Sequence, residues 1–277
     1  MEINIPLFHG ISLKIGEPLS DRMDYPTVRL QRGFLLLDQG QDLAEEAVGF
    51  GVPVLKRGMQ TIFPGDVALS WLQKGSTWEV TAQFKLNLLE KISRGGNETV
   101  GNKPFYAAKN FLSAIIRRFP FLRSQLTTLS NMLRQVFNWK TTYADGGISA
   151  GVQVNYIIEE KTGKTMVDVD VSHLPADITE VVVMNEQGAH AFDRYLDSSG
   201  NTLQGDEIGC WDEVNADEAG FESSSRQVAF RLGRVKGARL FRGRELIGSR
   251  LAWAGFGYSF PPSIQRLRYE MKIERVA

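Results

Sequence analysis

The residues best placed to do chemistry lie between positions 38 and 51, in the run Asp38-Gln-Gly-Gln-Asp42-Leu-Ala-Glu45-Glu46-Ala-Val-Gly-Phe-Gly51. Four carboxylates and three glycines are interleaved there, between an apolar run at 34–37 and another at 52–55. Two carboxyl groups on one connection can divide acid–base work on a glycosidic bond, one giving a proton and the other taking one or attacking carbon. Glu45 and Glu46 are therefore the candidate catalytic pair. Asp38 and Asp42, with Arg29 and Arg32 from the preceding segment, are the candidate ligand-binding groups. A guanidinium beside a carboxylate holds it ionised, and glycine lets a ligand come close to the backbone. Lys56 and Arg57 follow on the next strand. The competing reading is a short acidic helical turn at 43–48, capped by Asp42, with no ligand.

Other candidate motifs read more plainly. Gly163-Lys164-Thr165 resembles the end of a phosphate loop, but Ile158 stands where that loop needs glycine and a strand pattern follows where it needs a helix. Cys210 precedes Trp211, a pairing seen around some cysteine nucleophiles, but a lone cysteine in a strand-rich region is expected to be a small buried apolar group. His9, His173 and His190 are scattered without metal-ligand spacing, and no catalytic zinc site is predicted. Residues 204–222 hold seven carboxylates. Calcium takes six to eight oxygens, but the ordered spacing of a calcium loop is absent, and pairing with downstream arginines is the simpler expectation. No cofactor and no metal are expected, with calcium at 204–222 as the one reservation. Asp168 and Asp170 lie two apart on a strand, on one face; a solvated strand face is expected, with paired-carboxylate chemistry as the alternative.

The elements that must position these residues are mostly strands. Val80, Ala82, Phe84, Leu86 and Leu88 alternate with polar residues, as do Leu267, Tyr269, Met271 and Ile273. Each pattern predicts a strand with one wet and one buried face. Taking Thr162-Gly163 as a two-residue turn predicts a hairpin pairing Ile158 with Val167, Tyr156 with Val169 and Val154 with Val171. Shorter strand signals occupy 27–37, 52–55, 179–184 and 226–232, with turn residues between them. Residues 104–142 differ in kind. Phe105, Ala108, Leu112, Ile115 and Phe119, then Leu122, Leu126, Leu129, Leu133 and Val136, recur every three or four positions, which predicts two helices meeting at Pro120.

Charge is segregated although the chain as a whole carries 32 basic and 32 acidic residues among 277. Residues 143–222 have 3 basic and 17 acidic groups, whereas 223–277 have 12 and 3. Blocks of like charge repel unless neutralised, and mutual pairing of these two is the expected remedy. The helical stretch carries Lys109, Arg117, Arg118, Arg123, Arg134 and Lys140 without an acid. It is expected to pack on a sheet or act as a lid, with assembly of copies or an anionic membrane surface as alternatives. Aromatic and basic residues do not interleave as a stacking platform, so nucleic acid is not an expected partner. No stretch is long and apolar enough for a transmembrane helix. The opening MEINIPLFHG lacks a secretory pattern, and a single cysteine suits a cytoplasmic setting.

The expected architecture is mainly β, with antiparallel β-sandwich or supersandwich-like sheets. A β region over 1–103, a helical pair within 104–142 (about 104–138) and an antiparallel β domain over 143–277 make up the chain. The order of strands, helices and further strands resembles large antiparallel sandwich architectures among carbohydrate-active proteins, an analogy of fold. That resemblance and the carboxylate-rich loop imply a glycoside hydrolase or lyase, with a small-molecule or saccharide ligand and Trp71, Trp78, Trp211 or Trp253 as stacking faces. The alternative is a non-catalytic binding or assembly module using the basic helical pair or sheet edges, with homo-oligomers as one outcome.

Overall fold

Period-two patterning becomes burial directly. Val80, Ala82, Phe84 and Leu86 are buried while Gln83 and Lys85 between them face water. In the last strand, Leu267, Tyr269, Met271 and Ile273 are buried and Arg268, Glu270 and Lys272 are exposed. The computed structural model describes residues 2–19, 30–58, 60–94, 140–247 and 251–276. The predicted helical pair at 104–138, and Arg29, lie outside the described residues.

The chain divides into two units. One comprises Met1–Met23, Val28–Leu89 and Asp145–Ala277; of the other, Asp24–Thr27 and Glu90–Ala144, only residues 90–94 and 140–144 are described, as strand ends. The boundaries at 103 and 142 expected from the sequence fall within or beside the undescribed stretch.

Strands in the first half are β1 Ile3–Pro6, β2 Ile11–Ile15, β3 Pro18–Leu19, β4 Leu30–Gln31, β5 Leu35–Asp38, β6 Gln41–Asp42, β7 Gly49–Arg57, β8 Gln60–Lys74 and β9 Thr77–Arg94. Those in the second half are β10 Lys140–Glu159, β11 Lys164–Asp170, β12 Glu180–Gln187, β13 Arg194–Asp197, β14 Thr202–Gln204, β15 Asp212–Glu213, β16 Glu218–Ser223, β17 Val228–Gly233, β18 Arg239–Ile247, β19 Leu251–Phe260 and β20 Arg266–Arg275. A short 3-10 helix covers Gly205–Ile208. One large sheet runs β14-β13-β16-β17-β20-β11-β10-β9-β8-β7-β12-β19-β18-β15, a smaller one β1-β2-β5-β6, and β3 pairs with β4. Each pairing whose register is described is antiparallel. The mainly β, antiparallel architecture therefore stands.

Strands far apart in the hydrogen-bonded order meet face to face, so the large sheet turns back on itself and encloses the core. The ring of Phe230 on β17 packs edge-on at 5.0 Å against Phe50 on β7 and at 6.0 Å against Phe256 on β19. Tyr269 on β20 lies 4.6 Å from Tyr258 on β19 and donates its hydroxyl to Asn185 Oδ1 on β12 at 2.8 Å. Such edge-to-face pairs add to the area they bury, and each buried tyrosine hydroxyl has found an acceptor. Gln187 ties the small sheet on: its Oε1 accepts from the Leu36 amide and its Nε2 donates to the Phe34 carbonyl.

The hairpin of β10 and β11 corrects the expected register. Val154 faces Val169, Tyr156 faces Val167 and Ile158 faces Thr165. Both strands keep the expected face, because the displacement is two residues, one full side-chain period. The physical reason is the connection. A two-residue turn of the favoured type needs positive φ at both central positions, which β-branched Thr162 resists. Instead residues 160–163 make a wider loop, with positive φ at Gly163 alone and the Gly163 amide bonded to the Glu159 carbonyl at 3.0 Å.

The two charge blocks do pair. Arg231 reaches Glu222 at 2.9 Å, and Arg244 lies 3.7 Å from Asp206.

Candidate functional site

The acidic run at 38–51 is split by the fold into a hairpin tip and a turn. Gln39 and Gly40, both at positive φ, connect β5 to β6. Asp42 then accepts a hydrogen bond from the Ala44 amide through Oδ1 at 2.6 Å, starting the turn that leads into β7. Asp38 is almost buried, and Arg275 Nη2 sits 2.5 Å from its Oδ1. Arg32 is also buried; its Nε donates to the Ala47 carbonyl and its Nη2 to the Glu45 carbonyl, both at 2.9 Å, with Asp42 Oδ2 4.0 Å away. Burial lowers the pKa of this guanidinium, and the negative charges of Asp42, Glu17 and Glu46 act against that. Arg32 and Asp38 thus spend their polar atoms inside the protein, shaping the turn.

Glu45 stands at positive φ, and its Oε2 lies 2.5 Å from His190 Nδ1. Glu46 is half-buried beside it. Beneath the turn lies a group that sequence reasoning missed. Glu186 on β12 is buried, and burial pushes its carboxyl up to about 8; a hydrogen bond with the Val48 backbone works against this and the charge of Glu245 adds to it. Its sequence signal was faint: an acid at a strand position whose cross-strand neighbours are glycines, Gly49 on one side and Gly255 on the other.

A second polar cluster lies on the wet face of β9, β10, β11 and β20. There Asp168 and Asn155 sit directly across the ladder from each other, as do Asp168 and Arg268 on the other side. Arg266 donates to Asp168 from Nε at 2.6 Å and Nη2 at 2.7 Å, and Arg268 donates from Nη2 at 2.7 Å and Nε at 3.2 Å. Burial alone would raise the Asp168 pKa, but these arginine bonds outweigh it and hold the carboxyl below its ordinary range. Asp170 is held low as well, by the hydroxyl and amide of Ser172. Asp168 is therefore a clamped carboxylate, 5% exposed, where a solvated one was expected. Both carboxyl groups are thus held toward the ionised form, Asp168 by the two arginines and Asp170 by Ser172.

Asn155 Oδ1 accepts from Thr81 Oγ1 at 2.9 Å and Gln153 Nε2 at 3.1 Å, which fixes its amide. Asn155, Thr81, Asp168, Arg266 and Arg268, with Glu79, Ile157 and Met166, border a shallow concavity of about 270 Å³. Ile157 is 45% exposed at its edge. A second concavity, more open, is bordered by His9, Lys161, Glu274 and Arg275. Glu45 and Glu46 border neither of the two.

The tryptophans divide. Trp71 is exposed, while Trp78 donates its indole N–H to Glu160 at 2.7 Å. Trp211 and Trp253 stack on each other at 4.8 Å. Cys210, expected to be buried, is exposed, because it sits in the irregular stretch between the 3-10 helix and β15 where Trp211 takes positive φ. Among the described residues, no three His, Cys, Asp or Glu side chains are grouped to hold a metal, and no helix is long and apolar enough to cross a membrane.

No family model matches the chain, and no curated protein matches it in sequence. Solved structures are similar in fold. The α-N-acetylgalactosaminidase NagBb from Bifidobacterium bifidum, in its GalNAc complex, is 12% identical with a TM-score of 0.52, over 100% of this chain and 36% of that one. Its Gal-NHAc-DNJ complex gives the same identity, coverage and score. An α-galactosidase from Geobacillus stearothermophilus in complex with raffinose is 7% identical with a TM-score of 0.41, over 100% of this chain and 41% of that one. The chain thus spans 36% of the length of the Bifidobacterium enzyme whose fold it shares.

Proposed function

We propose that this chain is a carbohydrate-binding β protein that holds a saccharide at the concavity between β9, β10, β11 and β20. The observation that carries the reading is the fixed polar floor of that concavity. Arg266 and Arg268 clamp Asp168, Thr81 holds Asn155 across the ladder from it, and apolar Ile157 stands exposed beside them. Oriented polar groups set among apolar side chains, Ile157 and Met166 among them, suit a ligand that is itself hydroxyl-rich on one side and C–H-rich on the other. The volume, about 270 Å³, lies just below the usual range for ligand pockets and suits one sugar ring. The similarity of fold to a segment of a GalNAc-binding enzyme supports the same class of ligand.

Titration of the full-length protein with a panel of mono- and oligosaccharides tests this by calorimetry. Binding weakened roughly tenfold or more by Asn155→Ala or Ile157→Ala is the expected result. A panel in which no saccharide binds at millimolar concentration would remove the reading.

The Glu45–His190 contact favours a second, catalytic reading at the acidic turn. There a carboxylate and an imidazole in contact would serve as base and acid, with Glu46 alongside, in hydrolysis or elimination at a glycosidic bond. Release of 4-nitrophenol from 4-nitrophenyl glycosides, abolished by Glu45→Gln, is the outcome this second reading requires.

A further inference from the structure

We infer that the saccharide held at this concavity carries a carboxylate, as a uronic acid does; the inference rests on the reading above and narrows it. An ionised carboxylate has about four acceptor sites, and a guanidinium has five N–H donors. Asp168 takes one hydrogen bond on Oδ1 and three on Oδ2, all from Arg266 and Arg268, so at most one acceptor site, on Oδ1, is left for a ligand. Each arginine spends its Nε and Nη2 groups on Asp168, and its remaining N–H groups have no partner among the described residues. Both side chains stay more than half exposed, 57% and 61%, so those donors reach the solvent side of the site. The floor therefore presents donors in excess.

Charge leaves that reading open. The two guanidinium groups face Asp168, and Asp170, across the ladder from Arg266, keeps its negative charge, because its bonds to the Ser172 amide and hydroxyl are to neutral groups. Glu79 Oε1 pairs with Lys74 at 2.8 Å and Glu270 pairs with Lys164 at 2.7 Å. What favours a carboxylate is therefore the set of unspent guanidinium N–H groups, whose planar fork fits an acceptor-only carboxylate in two-pronged fashion.

Calorimetry on the full-length protein at low ionic strength tests this with glucuronic and galacturonic acids, their neutral counterparts glucose and galactose, glucose 6-phosphate, and acetate. The uronic acids are expected to bind roughly tenfold tighter than the neutral sugars, with an advantage that shrinks as salt is added. Arg268→Gln, a change at an exposed side chain, is expected to collapse the ratio of uronate to neutral-sugar affinity. Equal affinity for charged and neutral sugars would overturn the carboxylate inference and leave the saccharide reading standing. Absence of any sugar binding would overturn both. Tighter binding of glucose 6-phosphate than of either uronic acid, acetate binding as strong as uronate, or an unchanged ratio in the Arg268 variant would each overturn the carboxylate assignment.

Discussion

The hydroxyl of Tyr156 on β10 donates to the carbonyl of Gly51 on β7 across 3.1 Å, although two other strands, β9 and β8, separate them in the hydrogen-bonded order. The sheet must double back for this contact to exist, and the contact leaves no room at Gly51. A β-carbon there would lie 2.5 Å from the tyrosine oxygen, and the backbone φ of +75° is one that glycine tolerates best. Tyr156→Phe is expected to cost about 1–2 kcal/mol by leaving buried carbonyl groups less satisfied. Gly51→Ala is expected to cost about 3 kcal/mol or more, since strain and overlap add. Urea unfolding measures both, and an alanine variant no weaker than the phenylalanine one would contradict this geometry.

Glu186 makes stability depend on pH in an unusual direction. Its folded pKa is about 8, above the ordinary value of 4.5. Between those values the native state keeps a proton that the unfolded chain has lost, so its contribution to stability is full below about pH 4.5 and is lost as pH rises through 8. Glu186→Gln stays neutral throughout. The variant is therefore expected to gain on the parent by a few kcal/mol between pH 5 and pH 8, at about 1.4 kcal/mol for each unit of raised pKa. Parallel unfolding curves at the two pH values would show that the carboxyl is not held protonated.

At the acid end the sign reverses. Asp168, Asp170, Asp197, Glu180 and Glu274 are all held below their ordinary ranges, by arginine, lysine, serine, tyrosine or asparagine partners that outweigh whatever burial does to each. Each contributes stability that is present above its unfolded pKa, near 4, and is lost as pH falls through the lower folded value. Loss of fold on acidification is expected to concentrate below about pH 4, and Asp168→Asn is expected to make that acid limb shallower. Circular dichroism against pH reads it directly.

Arg32 predicts a local effect. Arg32→Leu removes two hydrogen bonds to carbonyls of the acidic turn, and an unpaired buried acceptor costs about 1–3 kcal/mol. Destabilisation of that order is expected, together with faster amide exchange at Ala47, whose amide bonds to the Ala44 carbonyl within the turn. Unchanged exchange at Ala47 would mean the guanidinium does not organise this segment.

Much of this was written along the chain. Alternation every second residue placed Val80 through Leu86 and Leu267 through Ile273 on the buried face, because a strand's side chains alternate whatever its neighbours are. The opposed charge blocks implied that they would pair, and Arg231 with Glu222 is one such contact. The hairpin's face was legible, but its register was not, since register follows from loop conformation at Thr162 and Gly163.

The candidate site was less legible, and the reason is sequence distance. Asp168 is clamped by arginines 98 and 100 positions away, because β11 lies beside β20 in the sheet. Arg32 is tied to the turn through backbone carbonyls, which have no residue-type signature. Glu45 meets His190, 145 residues on, because its turn packs beside Gly188. Which side chains share a face of a strand is a local property of a pleated backbone, and the chain determined it alone. Which polar residues share a site depends on strand order, and strand order is settled only when the whole core closes.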